Sequence, residues 1–305
     1  MSTREQLASL IKQKASELGF HSCGIAPAKA LPEDVRDRFE QWLASGCNAA
    51  MAYMAGNLEK RMNPALLVEG TKSIVVVAQN YYTDKATPFL SMYAQGKDYH
   101  KVVKDKLHLL LAYINTLTPA RGRAFCDSAP VFERYLATQA GLGWCGRNRQ
   151  LIIPGAGTHF FLGELFLDIE LEPDTPYAEN HCGNCHACIE ACPGNALSED
   201  GIDARRCLSY LTIEHRDELP EWVKEDDGNC FYGCDKCQSA CPHNRFAQPH
   251  NEQQFSPTDE LLSMHKDDWL NLTKEKFEAL FKESAVQRCG YLQFMRNIRI
   301  KFKKY

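Results

Sequence analysis

The sequence has no apolar run approaching the ~18 residues that a membrane-spanning helix needs. Its start, Met1-Ser2-Thr3-Arg4-Glu5, lacks the apolar stretch of a secretory signal. A soluble, cytoplasmic protein without a membrane partner is the expectation. No Gly-x-Gly-x-x-Gly follows a strand-like run and no Gly-x-x-x-x-Gly-Lys-Ser/Thr is present, so neither a dinucleotide nor a P-loop fingerprint is visible. Acidic residues are missing after Glu283, where Arg288, Arg296, Arg299, Lys301, Lys303 and Lys304 stand. The formal charge of -4 argues against a broadly nucleic-acid-coating surface and leaves this end as a local basic patch. It reads equally well as a solvated helix face or as a phosphate contact.

What is present is ample for packed cores, since 305 residues at 44% apolar suffice for two domains or one large domain with an insert. Leu7, Leu10, Ile11, Ala15 and Leu18 recur at helical spacing up to Gly19, and Ser73 to Ala78 reads as a buried strand. A second helix is predicted over Val102 to Leu117, a strand at Ala124-Phe125-Cys126, and a helix from Val131 to Ala140 closed by Gly141. Gln150 to Pro154 and Phe160 to Leu171 read as two sheet strands joined by Gly155-Ala156-Gly157. Composition changes at Glu172-Pro173-Asp174-Thr175-Pro176, and again near Pro249-His250-Asn251. The division expected is therefore an α/β unit over 1–175, a cysteine segment over 176–250, and a short helical segment over 251–305.

Nine of the fourteen cysteines fall between 182 and 241, which in a chain without an export signal favours metal ligation over disulfides. Cys182, Cys185, Cys188 and Cys192-Pro193 have the bacterial ferredoxin spacing, in which three thiolates hold one 4Fe-4S cluster and the fourth serves another. Cys234, Cys237 and Cys241-Pro242 form a second group that lacks one loop cysteine. The assignment is Cys182, Cys185, Cys188 and Cys241 for one cluster, and Cys192, Cys234 and Cys237 for the other. Its remaining ligand is Cys207 or Cys230, and spacing leaves that choice open. Paired Cys-x-x-Cys knuckles also bind zinc, but two triplets that each exchange a distant Cys-Pro do not form separate zinc ribbons. Two clusters imply one-electron transfer to an acceptor held by the first 175 residues, and an unidentified donor.

Asp127 stands at the end of a predicted strand, ahead of a helix, where catalytic groups of α/β folds and ordinary N-cap residues both occur. Cys126 and Cys145 have no paired base that would make either a nucleophile.

Several ungapped motifs resemble the epoxyqueuosine reductase family. They are Lys60-Arg61-Met62-Asn63-Pro64, Gly96-Lys97-Asp98-Tyr99-His100, Asp127 to Arg134, and Ala140 to Asn148. Phe160 to Glu164, Arg206-Cys207-Leu208-Ser209-Tyr210-Leu211-Thr212-Ile213-Glu214-His215 and Tyr232-Gly233-Cys234 continue the series, in order, across about residues 5 to 300. The resemblance implies an α/β (α+β) chain with a nitroreductase-like cobalamin-binding domain, a ferredoxin-like two-cluster domain and a short helical C-terminal segment. It implies an oxidoreductase of the last step of queuosine synthesis, which reduces epoxyqueuosine at the tRNA wobble position with reduced cobalamin fed by two 4Fe-4S clusters. Cobalamin is then expected without a protein histidine, in keeping with Asp98-Tyr99-His100, where Val103 breaks the Asp-x-His-x-x-Gly pattern of histidine-donating corrinoid sites.

The family's remaining cluster ligand lies in the Arg206 to Thr212 motif, so the resemblance selects Cys207 and leaves Cys230 a bystander. Asp127 matches the family's proton donor, and an apolar corrin covering it should raise its pKa. Arg61, Ala94, Leu151 and Leu162 match positions expected to line the corrin, although core packing accounts for the apolar ones equally well. Ser209, His215, Arg296 and Arg299 are candidate contacts of the tRNA, and Tyr99, His100 and His159 of nucleotide or corrin. Many members carry a further helical-repeat domain that helps hold the tRNA; this sequence stops at Tyr305, so phosphate contact is expected of the basic stretch. A monomer is expected. The competing readings are a corrinoid reductase of a small molecule, as in reductive dehalogenases, and a ferredoxin-like electron-transfer subunit.

Overall fold

The computed structural model describes residues 3–225 and 228–302. Lys303 and Lys304 of the basic stretch lie outside the described residues.

Six strands are present among the described residues: β1 Ser22–Pro27, β2 Ser73–Asn80, β3 Gly122–Phe125, β4 Trp144–Cys145, β5 Leu151–Ile152 and β6 Phe160–Leu167. The main sheet has the order β1-β2-β6-β3, and each adjacent pair is antiparallel. Its strands are apolar on both faces because both faces are covered. Val75, Val77, Leu165 and Leu167 point into a core shared with the Thr3–Glu17 and Tyr99–Leu117 helices. Ile74, Val76, Ala78, Leu162 and Phe166 point into a second core, closed by the Glu133–Gln139 helix. That alternation is the period of two of a strand, and it explains the uninterrupted run in β2.

Spacing also accounts for the long helices. Val102, Val103, Leu107, Leu110 and Ile114 of Tyr99–Leu117 are buried at steps of one, three or four residues, one face of a helix. Each such aliphatic side chain contributes roughly 1.5–3 kcal/mol by leaving water. The helix begins earlier than predicted because the Asp98 side chain accepts the His100 N–H at 2.9 Å and caps it. This cap fixes Tyr99 and His100 in the first turn.

Two expectations are corrected. Residues 150–154 and 160–171 do not pair as neighbouring strands: β5 pairs with β4 in a separate ribbon, and β6 is a central strand of the main sheet. Strand β1, not predicted, completes the sheet edge. It fits because Gly24 has no side chain; a Cβ there would lie 2.1 Å from the Ala140 carbonyl oxygen.

The cysteine segment is mostly turns with short helices, Ala187–Glu190 and Lys236–Ser239. It is fastened to the sheet unit by Asp235, which accepts from the Ser91 hydroxyl and from the Met92 N–H at 2.7 Å. Gln238 reinforces this by donating to the Tyr81 hydroxyl at 2.9 Å and the Thr158 carbonyl at 3.1 Å. The last segment packs Trp269, Phe277, Phe281, Phe294 and Phe302 around Phe231, Tyr232, Leu90 and Ala94. No described helix is long and apolar enough to cross a membrane.

Candidate cofactor cleft and its acid

The structure brings the cysteines expected to bind clusters near one another. Cys182 and Cys241 pack in one small cluster with Trp144 and Ile152. After burial, the charges of Cys182, Cys188 and Cys185 raise the pKa of Cys241. The other group is marked by Cys207 and Cys234, which share a core patch with Leu208 and Leu211. Burial pushes Cys234 up to about 12, with the Cys207 charge adding to it, and Cys237 rises further beside Cys234, Cys207 and Cys192. The Arg206-Cys207 segment can approach Cys192-Pro193 because Gly194 follows; a Cβ at Gly194 would meet the Arg206 carbonyl oxygen at 2.0 Å. Cys230 is turned elsewhere, its thiol directed at the Tyr232 carbonyl at 3.2 Å and the Gly233 carbonyl at 3.6 Å. The expected ligands are all thiols, a donor set suited to 4Fe-4S clusters. Among the described residues no three His, Cys, Asp or Glu side chains are gathered for a single metal ion.

Between the cysteine segment and the sheet unit lies a cavity of about 350 Å³, or about 1370 Å³ with the open space at its mouth. That is the scale of a small-molecule or cofactor pocket. Cys192, Cys207, Cys234 and Cys237 border the cavity, whereas Cys182, Cys185, Cys188 and Cys241 are not among its lining residues. Leu151, Leu162 and Phe161 make an apolar stretch on the sheet side, and Asp127, Glu133 and Tyr99 supply polar atoms there. A cavity that joins this apolar stretch to many polar side chains, among them Asn148, Gln150 and Arg134, and to four thiols suits a large amphipathic redox cofactor such as a corrin.

Asp127 is not a helix cap. The helix after it begins at Glu133 behind Phe132, and Asp127 has a φ of 56°, a left-handed conformation that Asp tolerates better than most residues. The Glu133 carboxylate holds that conformation by accepting the Asp127 N–H at 2.5 Å. The Asp127 side chain is 58% exposed within the cavity. Its Oδ2 accepts from the Tyr99 hydroxyl and lies 3.3 Å from His100 Nε2. Tyr99 is fixed by stacking on Phe161 at 4.2 Å, and His100 by Asp98, 2.6 Å from its Nδ1.

These partners set the charges. Burial favours a protonated Asp127, but hydrogen bonds from His100 and Tyr99 and the His100 charge outweigh it, so its pKa is lowered. The expected rise is therefore absent in the open cleft. For His100 burial opposes the charge, yet the bonds to Asp127 and Asp98 prevail and raise its pKa to about 9. The raised carboxyl is Glu133, lifted to about 8 by burial and then by the Asp127 charge.

The other candidates divide. Leu151, Leu162 and Ser209 line the cavity, whereas Arg61 and Ala94 are not among its lining residues. Ala94 is buried in the aromatic core, and Arg61 lies over the Phe39 and Phe132 rings. His159 is buried beside Tyr81 and Tyr82, with its pKa lowered to about 4 by burial. His215 lies off the cavity, Nε2 3.1 Å from the Glu218 carbonyl. Arg296 is spent on internal bonds to the carbonyls of Leu211, His215 and Asp217, and Arg288 pairs with Glu214. Both are thus structural in place of the free phosphate contacts expected, and Arg299 is exposed. Sequence reasoning missed Glu133, Arg134 and Asp235 on the cavity wall. The pair Glu133-Arg134, adjacent charged residues opening the helix, was the available signal for two of them.

A family model described as "Epoxyqueuosine reductase QueG, DUF1730" matches residues 61–128, and one described as "4Fe-4S double cluster binding domain" matches 181–244. An epoxyqueuosine reductase of Leadbetterella byssophila is 45% identical over 94% of this chain and 96% of its own length. A crystal structure of epoxyqueuosine reductase with an epoxyqueuosine-modified tRNA-Tyr stem loop superimposes with a TM-score of 0.88 at 28% identity, covering 97% of this chain and 80% of that one. A catabolic reductive dehalogenase shares the fold alone, at 16% identity and a TM-score of 0.50 over 97% of this chain and 38% of its own. With identity of this level along nearly its whole length, the chain belongs to the epoxyqueuosine reductase family.

Proposed function

We propose that the protein is an epoxyqueuosine reductase that converts epoxyqueuosine at the tRNA wobble position to queuosine, with two 4Fe-4S clusters and cobalamin as its cofactors. The observation that supports this reading is that Asp127 and the thiols of Cys192, Cys207, Cys234 and Cys237 line one cavity. Cobalamin when bound supplies a strongly nucleophilic reduced metal centre, and the clusters supply the single electrons that sustain it.

The chain's own residues hold, shield and protonate. Cys192, Cys207, Cys234 and Cys237 are proposed to carry the cluster bordering the cavity, and Cys182, Cys185, Cys188 and Cys241 the one set back from it, which orders the electron path from outer to inner. Leu151 and Leu162 present apolar surface to the corrin. Asp127 gives a proton to the departing epoxide oxygen. In the open cleft the Asp127 and His100 pair is charged; an occupant that expels water removes the solvation of that ion pair and favours the carboxylic acid with neutral imidazole. Tyr99 orients the acid, and Ser209 faces the nucleotide. Arg299, on the exposed side of the last helix, meets tRNA phosphate. The division at 175 and 250, a monomeric state, a cytoplasmic location and a separate electron donor complete the proposal.

The test is anaerobic reconstitution with iron, sulfide and cobalamin, a strong reductant, and nucleoside analysis of epoxyqueuosine-containing tRNA. Queuosine should appear; its absence from active-cofactor preparations overturns the reading.

A further inference from the structure

Converting the epoxide to an alkene breaks both C–O bonds, forms the carbon–carbon double bond and releases the oxygen as water. The balance is two electrons, from the external reductant by way of the clusters, and two protons. Asp127 holds one proton at a time and must be reloaded within each turnover, an inference that rests on the function proposed above.

Two carboxyl groups stand behind Asp127. Glu133 lines the same cavity, and its Oε1 accepts the Asp127 N–H at 2.5 Å. Glu164 sits on β6 opposite Phe125, two residues before Asp127. It is fully buried, and neither of its carboxyl oxygens has a hydrogen-bond partner. An unpartnered carboxylate is strongly disfavoured in such a place, so Glu164 is carried as the neutral acid. Glu164 is not among the residues that line the cavity, and after burial the charges of Glu133 and Asp127 raise its pKa further. The other groups facing this set are His100 and Arg134, which favour ionised Glu133, and the buried Cys126 thiol.

We propose that Glu133, backed by neutral Glu164, is the relay that reloads Asp127 with the second proton of the reaction. His100 shares its proton with Asp127 Oδ2 and accounts for the first. Glu133 as a neutral acid accepts the Asp127 N–H through its carbonyl oxygen and keeps its hydroxyl proton for transfer. After transfer it is recharged from water in the cavity mouth, while neutral Glu164 spares it a second buried negative charge.

The experiment compares wild type with Glu133→Gln, which preserves the acceptor for the Asp127 N–H and removes the proton. Conversion in single turnover is followed from pH 6 to 9. Wild type should lose rate through an alkaline limb near pH 8, where Glu133 gives up its proton. The variant should be roughly 100-fold slower, within the range a positioned proton donor contributes, and should lack the limb near pH 8 while keeping only the loss toward pH 9 that His100 imposes. Wild-type conversion shows that the function stands, so a variant with unchanged rate and limb would overturn the relay alone. A second measurement needs neither cobalamin nor tRNA: infrared titration of cluster-loaded protein with isotope-labelled glutamate. Protonated glutamate carbonyl bands should persist at pH 7, one lost in Glu133→Gln and another in Glu164→Gln; their absence from wild type would overturn the proposal even if a variant failed to fold.

Discussion

Replacing Cys207 and Cys230 one at a time by alanine separates two thiols that spacing could not. Cys207 lines the cavity with Cys192, Cys234 and Cys237, and in the proposed assignment its removal leaves three thiols for a cluster that needs four. Reconstituted without oxygen, wild type should contain about eight irons and eight sulfides per chain, and Cys207→Ala about four of each. The outer group of Cys182, Cys185, Cys188 and Cys241 is untouched, so the residual cluster should retain an ordinary reduced paramagnetic signal without the broadening that a nearby second cluster imposes. Because the lost cluster borders the cavity, conversion should cease despite the surviving one. Cys230→Ala removes only a thiol directed at two carbonyls, at 3.2 Å and 3.6 Å, and a small buried volume. Its iron should stay near eight, with a stability loss of about 1 kcal/mol. Iron and sulfide analysis with paramagnetic resonance decides the matter. Half-occupancy in Cys230→Ala together with full occupancy in Cys207→Ala would refute the assignment.

Asp127→Asn keeps a residue type that tolerates the left-handed backbone and should retain iron and cobalamin while turnover falls by roughly 10²–10⁴, the range of general acid catalysis; a full rate would remove Asp127 as donor. His100 has a folded pKa of about 9 against 6.5 unfolded, so its contribution to stability is complete below about pH 6.5 and is lost as pH rises through 9. Thermal melts of wild type and His100→Gln should therefore converge over that window, and a gap that widens with pH would contradict the ion pair. Arg299→Ala should weaken tRNA binding and reduce its salt slope by about 1, as for one lost phosphate contact. Arg296→Ala should instead lower the melting temperature, because its guanidinium holds three backbone carbonyls; an unchanged melt with an altered salt slope would reverse the two roles.

Legibility followed how local each constraint is. Seven of the expected cluster cysteines follow from spacing, because an iron-sulfur loop demands one residue type at fixed short intervals. For the eighth, spacing left Cys207 and Cys230 open and the family resemblance selected Cys207; the Gly194 contact that lets the Arg206-Cys207 and Cys192-Pro193 segments approach is something no interval expresses. The apolar runs of β2 and β6 announced themselves, but their partners did not. Residues 150–154 looked like the mate of 160–171 because a Gly-Ala-Gly turn joins them, yet the β6 edges are taken by β2 and β3, and β5 pairs with β4. Charge was legible as composition and misleading as exposure: Arg296 lies in a basic stretch but faces carbonyls, a fact of helix rotation and packing. Asp127 drew attention through its motif, whereas the groups that set its charge sit 28 and 27 residues earlier, delivered by the capped start of a helix from another part of the sheet unit.

The cavity is nonetheless one place. Cys192, Cys207, Cys234 and Cys237 line it together with Asp127 and Glu133, and they come from different segments of the chain. The fastening between those segments is specific. Asp235, between Cys234 and Cys237, accepts from Ser91 and Met92, and Gln238, just past Cys237, donates to Tyr81 and Thr158. The turn and short helix that carry Cys234 and Cys237 are thereby tied to the sheet unit that carries Asp127. Neither segment can drift without breaking polar bonds, each of which is disfavoured by about 1–3 kcal/mol when a buried group is left unpaired.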